Sequence, residues 1–179
     1  TEASYKQAIA LKPDFAEAHS NMGVTLQKLG RLEEAEASLK QAMALKSDFA
    51  EAHYNLGITL QELGRLDEAE ASYKQAIALE HDYTESHINL GITLQELGRL
   101  AEAESSYRQA IALKPDYAES HYNLGITLKE LSRLDEAEVS YRQAMALKPD
   151  LAEAHSNLGV TLQELGRLDE AEASLRQAI

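Results

Sequence analysis

The sequence of 179 residues contains no cysteine. Disulfide bonds, thiolate zinc sites and cysteine nucleophiles are therefore excluded, and nothing in the sequence indicates the redox state of the compartment. It also has no apolar run long enough to span a bilayer, and no signal-like start precedes the repeats. We expect a soluble protein that does not associate with membranes. The compartment is not determined, and a cytoplasmic location is favoured.

Basic residues are in the minority, with 17 Lys and Arg against 30 Asp and Glu and a formal net charge of -13. Because nucleic-acid binding depends on basic side chains that neutralise phosphates, this balance argues against a nucleic-acid partner. There is no glycine-rich phosphate loop, and the serines and histidines recur without forming a single convergent set. We therefore expect no catalytic residues, no cofactor and no enzyme activity.

What the chain does contain is a repeat of 34 residues. Position 1 of successive repeats falls at Ala16, Ala50, Thr84, Ala118 and Ala152. The predicted organisation is a single array over 1–179, with a partial repeat at 1–15, complete repeats at 16–49, 50–83, 84–117 and 118–151, and a partial repeat at 152–179. Such a period predicts stacked units that bury their apolar faces against their neighbours. Since both ends interrupt a repeat, we expect a piece of a longer protein whose ends expose apolar surface.

Two apolar patterns of helical spacing, separated by a turn, predict two helices in each repeat. The turn carries glycine at Gly30, Gly64, Gly98 and Gly166, as expected where a helix ends in a left-handed conformation. Ser132 occupies this place in the fourth repeat, and a positive φ there would cost about 1 kcal/mol relative to glycine. Asp116 and Glu119 predict a capping box that opens the next repeat, and the other repeats carry the same pair.

Second helices carry a glutamate four residues before a basic residue, which predicts helix-stabilising ion pairs on a solvated face. The pairs are Glu36 and Lys40, Glu70 and Lys74, Glu104 and Arg108, Glu138 and Arg142, and Glu172 and Arg176.

The repeat consensus includes His53, Leu56, Gly57, Leu60, Ala69, Tyr73 and Ala76 in one repeat and His121, Leu124, Gly125, Leu128, Ala137, Tyr141, Ala144 and Pro149 in another. This pattern resembles the tetratricopeptide repeat family over the whole chain. The resemblance implies an all-α fold, a right-handed superhelical solenoid of antiparallel helix pairs. Two positions depart from the family: position 4 is histidine in place of an aromatic residue, and position 11 is leucine in place of tyrosine.

The resemblance also implies that one face of the first helices lines a concave groove. Position 6 of that face is asparagine in every repeat: Asn21, Asn55, Asn89, Asn123 and Asn157. Position 9 is aliphatic: Val24, Ile58, Ile92, Ile126 and Val160. Asparagine amides suit pairing with the backbone of an extended peptide, and the asparagine series resembles the peptide-binding superhelix of O-linked GlcNAc transferases. The alternative, in which these side chains bond to neighbouring helices or to helix backbone, stays open.

Two further groove positions vary in size or carry charge. Position 5 holds Ser20, Tyr54, Ile88, Tyr122 and Ser156, which indicates either tuned pockets or drift on a tolerant surface. Position 13 holds Glu62, Glu96, Glu130 and Glu164. Together with the glutamates at position 2 these predict an acidic trough that attracts basic ligands, unless the position 2 carboxylates cap their own helices.

Histidine recurs at position 4, as His19, His53, His87, His121 and His155. Successive helix pairs lie too far apart for two of these imidazoles to share a zinc ion, so packing is the favoured role and no metal site is predicted.

The sequence predicts a scaffold that binds an extended, neutral to basic peptide or protein segment along the groove. Two alternatives stay open. In the first alternative the chain is the substrate-recognition arm of a larger enzyme, such as a glycosyltransferase. In the second it is a structural superhelix that self-associates through its uncapped ends.

Overall fold

The computed structural model describes residues 1–178, and the regular structure in that range is entirely α-helical. A first helix occupies positions 1–13 of each repeat, and a second helix begins at position 17. The helices are α1 (Glu2–Leu11), α2 (Ala16–Lys28), α3 (Leu32–Leu45), α4 (Ala50–Glu62), α5 (Leu66–Leu79), α6 (Thr84–Glu96), α7 (Leu100–Leu113), α8 (Ala118–Glu130), α9 (Leu134–Leu147), α10 (Ala152–Glu164) and α11 (Leu168–Gln177). Within residues 1–178, no helix is long and apolar enough to cross a membrane.

The helices form two compact units, Thr1–Thr93 and Leu94–Ile179. In the first unit, α2 packs on α3 and α4 packs on α5, while α3 also contacts α4 and α1 contacts α2. In the second unit, α8 packs on α9 and α10 packs on α11, while α7 contacts α8 and α9 contacts α10. Short turns join the helices of each pair, so the pairs are antiparallel hairpins. Each hairpin buries a further face against the next hairpin of its unit.

The core of a hairpin is built from alanine, leucine and tyrosine on facing sides of its two helices. In the second repeat Ala69, Tyr73 and Ala76 are fully buried. Gly57 lets the first helix approach closely, because a Cβ atom there would lie 2.5 Å from the Tyr73 ring. Glycine at position 8 thus meets a steric requirement of the hairpin, and the consensus Asn-Leu-Gly marks where the two helices touch.

The turn between the two helices has the predicted left-handed residue. The glycines at this position have φ of 72° to 77°, and Ser132 has φ of 60°. In the second repeat the turn is closed by backbone N–H groups of Gly64 and Arg65, which donate to Gln61 and Leu60. The positive φ expected for Ser132 is confirmed, and in this conformation a residue with a Cβ is less stable than glycine by about 1 kcal/mol.

The predicted capping box is wrong for the four first helices whose caps the structure describes. Their N-cap residues are Phe15, Phe49, Tyr117 and Leu151, and none makes a side-chain cap hydrogen bond. The aspartate that recurs at the end of each repeat lies one residue before the N-cap, which is too early in the sequence to bond the N–H groups of the first turn. The position 2 glutamates of these helices therefore do not serve as caps, and Glu17 instead approaches Lys46 at 3.6 Å.

The predicted ion pairs within the second helices are all present, at 2.5 to 2.9 Å. A second partner was not predicted. Glu36 pairs with Lys40 of its own helix and also with Arg65 of the following repeat, at 2.7 Å in each case. Its side chain is only 13% exposed. Glu36 therefore connects consecutive repeats instead of lying on a fully solvated face, and Glu138 does the same through Arg167 at 2.6 Å. Glu172 is 63% exposed, as predicted for a solvated face.

Candidate functional site

The aliphatic residues at position 9 are half-buried in every repeat, so each leaves part of its side chain at the surface of a first helix. The position 13 glutamates lie one helical turn further along and are exposed. Spacing of four residues places these two positions on the same side of a helix. The first helices of the second to fifth repeats therefore each present an apolar patch beside a carboxylate, whereas α2 has Lys28 at position 13.

The asparagines at position 6 do not share one environment. Asn21 is exposed, Asn55 is buried, and the other three are half-buried. Asn89 Nδ2 donates to the Tyr54 hydroxyl at 3.3 Å. In the second unit, Asn157 Nδ2 donates to the Tyr122 hydroxyl at 3.0 Å. In these two cases one amide N–H bonds the preceding repeat, which leaves the side-chain carbonyl oxygen and the second N–H as groups that a ligand could bond.

The residues at position 5 also fall into two groups. Tyr54, Tyr122 and Ser156 are half-buried, whereas Ser20 and Ile88 are 2% and 7% exposed. The Tyr54 ring packs against the buried Tyr73 ring with centroids 6.1 Å apart, and Tyr122 packs in the same way against Tyr141. Position 5 therefore contacts position 24 within a repeat. This contact gives a packing reason for the paired tyrosines in these two repeats.

The position 13 glutamates are oriented by position 12 of the preceding repeat. Gln27 Nε2 donates to Glu62 at 2.9 Å, and Gln95 Nε2 donates to Glu130 at 3.4 Å. In the fourth repeat a lysine replaces the glutamine, and Lys129 Nζ lies 3.2 Å from Glu164. Sequence reasoning considered position 12 only for its charge and missed this contact, which crosses 35 residues.

Position 12 has a second partner on its own hairpin. The buried Tyr73 hydroxyl donates to Gln61 Oε1 at 3.1 Å, and the Tyr107 hydroxyl donates to Gln95 Oε1 at 2.7 Å. Lysine has no acceptor atom. In the fourth repeat, accordingly, the buried hydroxyl of Tyr141 has no hydrogen-bond partner.

Burial raises the pKa of the Tyr141 hydroxyl, and the nearby carboxylates of Glu130 and Glu164 raise it further. The hydroxyl therefore keeps its proton at neutral pH and offers a hydrogen-bond donor. A donor that is buried and unpaired costs on the order of 1 to 3 kcal/mol.

Tyr141 also lines a pocket in the second unit, with a volume of about 430 Å³. First helices of the fourth and fifth repeats contribute most of its wall. The lining residues are Ile126, Lys129, Glu130, Tyr141, Asn157 and Glu164. Four of these were predicted as groove residues from the sequence, at positions 6, 9 and 13. Tyr141 was missed because its position in the repeat belongs to the core. Lys129 was missed because its effect is to replace a glutamine that, in other repeats, accepts a hydrogen bond from the buried tyrosine.

The histidines at position 4 are hydrogen-bonded to backbone, not to one another. Nε2 of His121 lies 2.8 Å from the carbonyl oxygen of Pro115, and His19 and His155 make the same contact with Pro13 and Pro149 at 2.9 Å. Each of these hydrogen bonds joins a first helix to the turn that precedes it. Residues 1–178 contain no group of three or more histidine, aspartate or glutamate side chains that could hold a metal ion.

Family models match most of the sequence. A model described as Tetratricopeptide repeat matches residues 14–80 and 48–116, and a second model with that description matches 106–139. A model described as TPR repeat matches 127–166. A comparison with curated proteins gives no match.

Solved structures with a similar fold include YrrB, at 24% sequence identity and a TM-score of 0.84, covering 100% of this chain and 92% of that one. A crystal structure of MamA has 24% identity and a TM-score of 0.84, with coverage of 88% and 92%. MamA from Desulfovibrio magneticus RS-1, from residue 41 to its end, has 21% identity and a TM-score of 0.85, with coverage of 91% and 92%. At these identities the likeness concerns the fold.

Proposed function

The chain belongs to the tetratricopeptide repeat family, whose members are protein-interaction scaffolds, and on this basis we propose that it binds an extended peptide segment along the face formed by its first helices. The ligand lies across positions 6, 9 and 13 of successive repeats. Half-buried aliphatic side chains at position 9 contact its apolar groups, and the asparagines bond its backbone.

One observation carries the proposal. Ile126, Glu130, Asn157 and Glu164 line a single pocket, so an apolar wall, an amide and two carboxylates from two repeats converge on one space. This pocket combines an aliphatic side chain with several convergent polar groups, and convergent polar groups of this kind fix the orientation of a bound ligand. Ser20, Asn55 and Ile88 are buried, and the proposal therefore depends on the remaining groove positions.

The charge of this face favours a neutral to basic ligand. Glu62, Glu96, Glu130 and Glu164 are all exposed, and the protein as a whole has a formal net charge of -13. A surface of one sign attracts ligands of the other and accelerates their association, and salt weakens the effect. An acidic peptide is repelled by the same carboxylates.

YrrB, which has the same fold, is described as a TPR protein with an unusual peptide-binding site. That description applies to YrrB, and it offers a precedent for peptide binding on this fold. The two repeat proteins share 24% of their residues, so the ligand of one does not identify the ligand of the other.

Fluorescence polarisation against labelled peptides of basic, neutral and acidic composition tests the proposal. The test variant replaces by alanine the four position 6 asparagines that are not buried: Asn21, Asn89, Asn123 and Asn157. A matched control replaces four exposed amides on the second helices by alanine: Gln41, Gln75, Gln109 and Gln143. Both variants lose the same number of carboxamides, and circular dichroism verifies that both keep their helicity.

We expect basic and neutral peptides to bind the wild-type protein and the glutamine control alike, with affinity that falls as salt is raised. The asparagine variant should bind at least tenfold more weakly, which corresponds to a loss of about 1.4 kcal/mol. Equal binding by the two variants, or no binding by any peptide, overturns the proposal.

Two alternative functions remain: recognition of substrate for a larger enzyme, and self-association. As the recognition arm of a larger enzyme, the chain would bind the same peptides and leave the chemistry to a separate domain. As a self-associating superhelix it would increase in mass with concentration. Sedimentation velocity over a hundredfold concentration range separates the second role from the others, because a constant monomer mass excludes it.

A further inference from the structure

We propose that the pocket formed by the fourth and fifth repeats recognises a glutamine side chain of the bound peptide, with the Tyr141 hydroxyl donating to its carboxamide oxygen. This inference rests on the proposed function and names one residue of the ligand. It assigns a specificity site to one place in an otherwise repetitive surface.

The neighbouring repeat shows how a carboxamide fits such a site. Gln95 makes two hydrogen bonds with opposite ends of its amide: its Oε1 accepts from the Tyr107 hydroxyl at 2.7 Å, and its Nε2 donates to Glu130 at 3.4 Å. A buried tyrosine hydroxyl and a carboxylate of the next repeat thus bracket one carboxamide group. In this repeat the protein supplies that group itself.

The fourth repeat has the tyrosine and is followed by the carboxylate, but it lacks the glutamine amide between them. Tyr141 corresponds to Tyr107, and Glu164 corresponds to Glu130. Lys129 takes the place of the glutamine, and its ammonium group approaches Glu164 at 3.2 Å. The Tyr141 hydroxyl is left without a partner, and Tyr141 is one of the residues that line the pocket of about 430 Å³. A buried polar group without a partner is rare in folded proteins and calls for an explanation.

The polar groups of the pocket select the chemical class of the ligand. The Tyr141 hydroxyl needs an acceptor for its proton, because a tyrosine is protonated at neutral pH and burial raises its pKa further. Glu130 and Glu164 each have one donor in the structure, and each retains lone pairs for a further donor. A ligand ammonium or guanidinium group has donors only, and a ligand carboxylate has acceptors only and is repelled by the two glutamates. A carboxamide carries both an acceptor and two donors on one planar group, so it satisfies both sides.

The remaining wall suits the stem of a glutamine. Ile126 is half-buried and offers an aliphatic surface for the two methylene groups. Asn157 lines the pocket and donates Nδ2 to Tyr122, and its carbonyl oxygen is a further acceptor for a ligand N–H group. The Glu164 carboxylate accepts from Lys129 and retains lone pairs for a second donor.

The decisive variant is Lys129→Gln, which restores the protein's own carboxamide and should close the pocket to an external one. Lys129→Met is its control, because it removes the charge without supplying an amide. We would follow the Tyr141 resonance of the full chain by NMR, using tyrosine labelled with 13C at Cζ and assigned with Tyr141→Phe, during titration with propionamide. Propionate and propylammonium serve as comparison ligands.

We expect propionamide alone to shift the Tyr141 resonance saturably in the wild-type protein and in Lys129→Met. In Lys129→Gln the resonance should start near the position it takes in the saturated complex and should not move. A shift of equal size in Lys129→Gln, no shift in the wild-type protein, or an equal response to all three small molecules overturns the inference.

Peptide binding provides the second arm. In a peptide selected by polarisation, replacing a single glutamine by norleucine should weaken binding to the wild-type protein about tenfold and should have little effect on binding to Lys129→Gln. Peptides that bind both proteins equally, with no contribution from glutamine, overturn the inference and leave the groove proposal intact. Propionamide binding in the absence of any peptide binding sustains the carboxamide site and overturns the groove proposal.

Discussion

The hydroxyl of Tyr107 donates a hydrogen bond of 2.7 Å to the side-chain carbonyl oxygen of Gln95, which lies twelve residues earlier in the same repeat. The second repeat has the same bond between Tyr73 and Gln61. Where Lys129 replaces the glutamine, the tyrosine stays buried and its hydroxyl is unpaired. One substitution between nearly identical repeats therefore turns a satisfied polar contact into an open one.

The first prediction follows from this difference. Tyr107→Phe should lower the free energy of unfolding by about 0.5 to 1.5 kcal/mol, because it deletes a hydrogen bond at a buried site. Tyr141→Phe should leave stability unchanged or raise it, because it removes an unpaired buried hydroxyl. Urea denaturation of the two variants, followed by circular dichroism, gives the comparison. Equal losses in both would show that the Tyr141 hydroxyl has a partner after all.

The second prediction concerns the turn of the fourth repeat. Ser132 has φ of 60°, in the region that glycine occupies in the equivalent turns. Ser132→Gly should therefore stabilise the protein by about 1 kcal/mol, since glycine adopts this conformation without a Cβ penalty. Gly98→Ser is the reciprocal control and should destabilise by a similar amount. Thermal denaturation measures both, and a loss of stability in Ser132→Gly would contradict the assignment of strain.

The third prediction concerns two buried hydroxyl groups at position 3 of the first helices. Ser86 and Ser120 are completely buried, and neither Oγ atom has a hydrogen-bond partner. Other repeats have alanine there, including the fully buried Ala52 and Ala154. Each serine should therefore be replaceable by alanine with a gain of about 1 kcal/mol.

Ala52→Ser is the matched control and should cost a similar amount. Chemical denaturation of the three variants tests the pattern. Destabilisation by Ser86→Ala and Ser120→Ala would mean that the hydroxyls find partners in solution.

The fourth prediction is a pH dependence carried by two histidines. Burial lowers the pKa of His53 and His87 below the ordinary value of 6.5, although a backbone carbonyl at each site acts in the opposite direction. The unfolded chain therefore binds protons more readily than the folded one. Their contribution to stability is present above pH 6.5 and is lost as the pH falls from 6.5 through their lowered folded values.

The melting temperature should accordingly fall between pH 7.5 and pH 5.5. Replacing both histidines by glutamine, which keeps an N–H donor without a titrating group, should flatten this part of the profile. An unchanged slope in the double variant would assign the pH dependence to other groups.

The helices, the turns and the core were predictable because the residues that determine them lie close together in the sequence of each repeat. Apolar spacing predicted both helices of the hairpin, and glycine at positions 30, 64, 98 and 166 predicted the left-handed turn that Ser132 shares. The ion pair of Glu36 with Lys40 was predictable for the same reason, since residues four apart face each other on a helix. The capping box failed because Asp14 lies one residue outside the cap, and helix ends are sensitive to a shift of one residue.

Contacts between repeats could not be predicted from local sequence patterns. The bond from Glu36 to Arg65 and the bond from Asn89 to Tyr54 join side chains separated by about one repeat length, and only the packing of one hairpin on the next decides which atoms meet. The asparagines at position 6 illustrate this most plainly. They are identical in sequence, yet Asn21 is exposed, Asn55 is buried and Asn157 bonds a tyrosine.

The sequence by itself determined the repeat, its two helices, the left-handed turn and the acidic character of the chain, because these follow from local spacing, backbone sterics and composition. The tertiary structure alone decided which groove residues meet in one pocket and which buried donor lacks an acceptor. Tyr141 and Tyr107 occupy the same position of the repeat. The Tyr141 hydroxyl is unpaired because the folded hairpin places it opposite a lysine instead of a glutamine. Hydrogen-bond satisfaction belongs to pairs of groups brought together in space, so a pattern along the chain does not contain it.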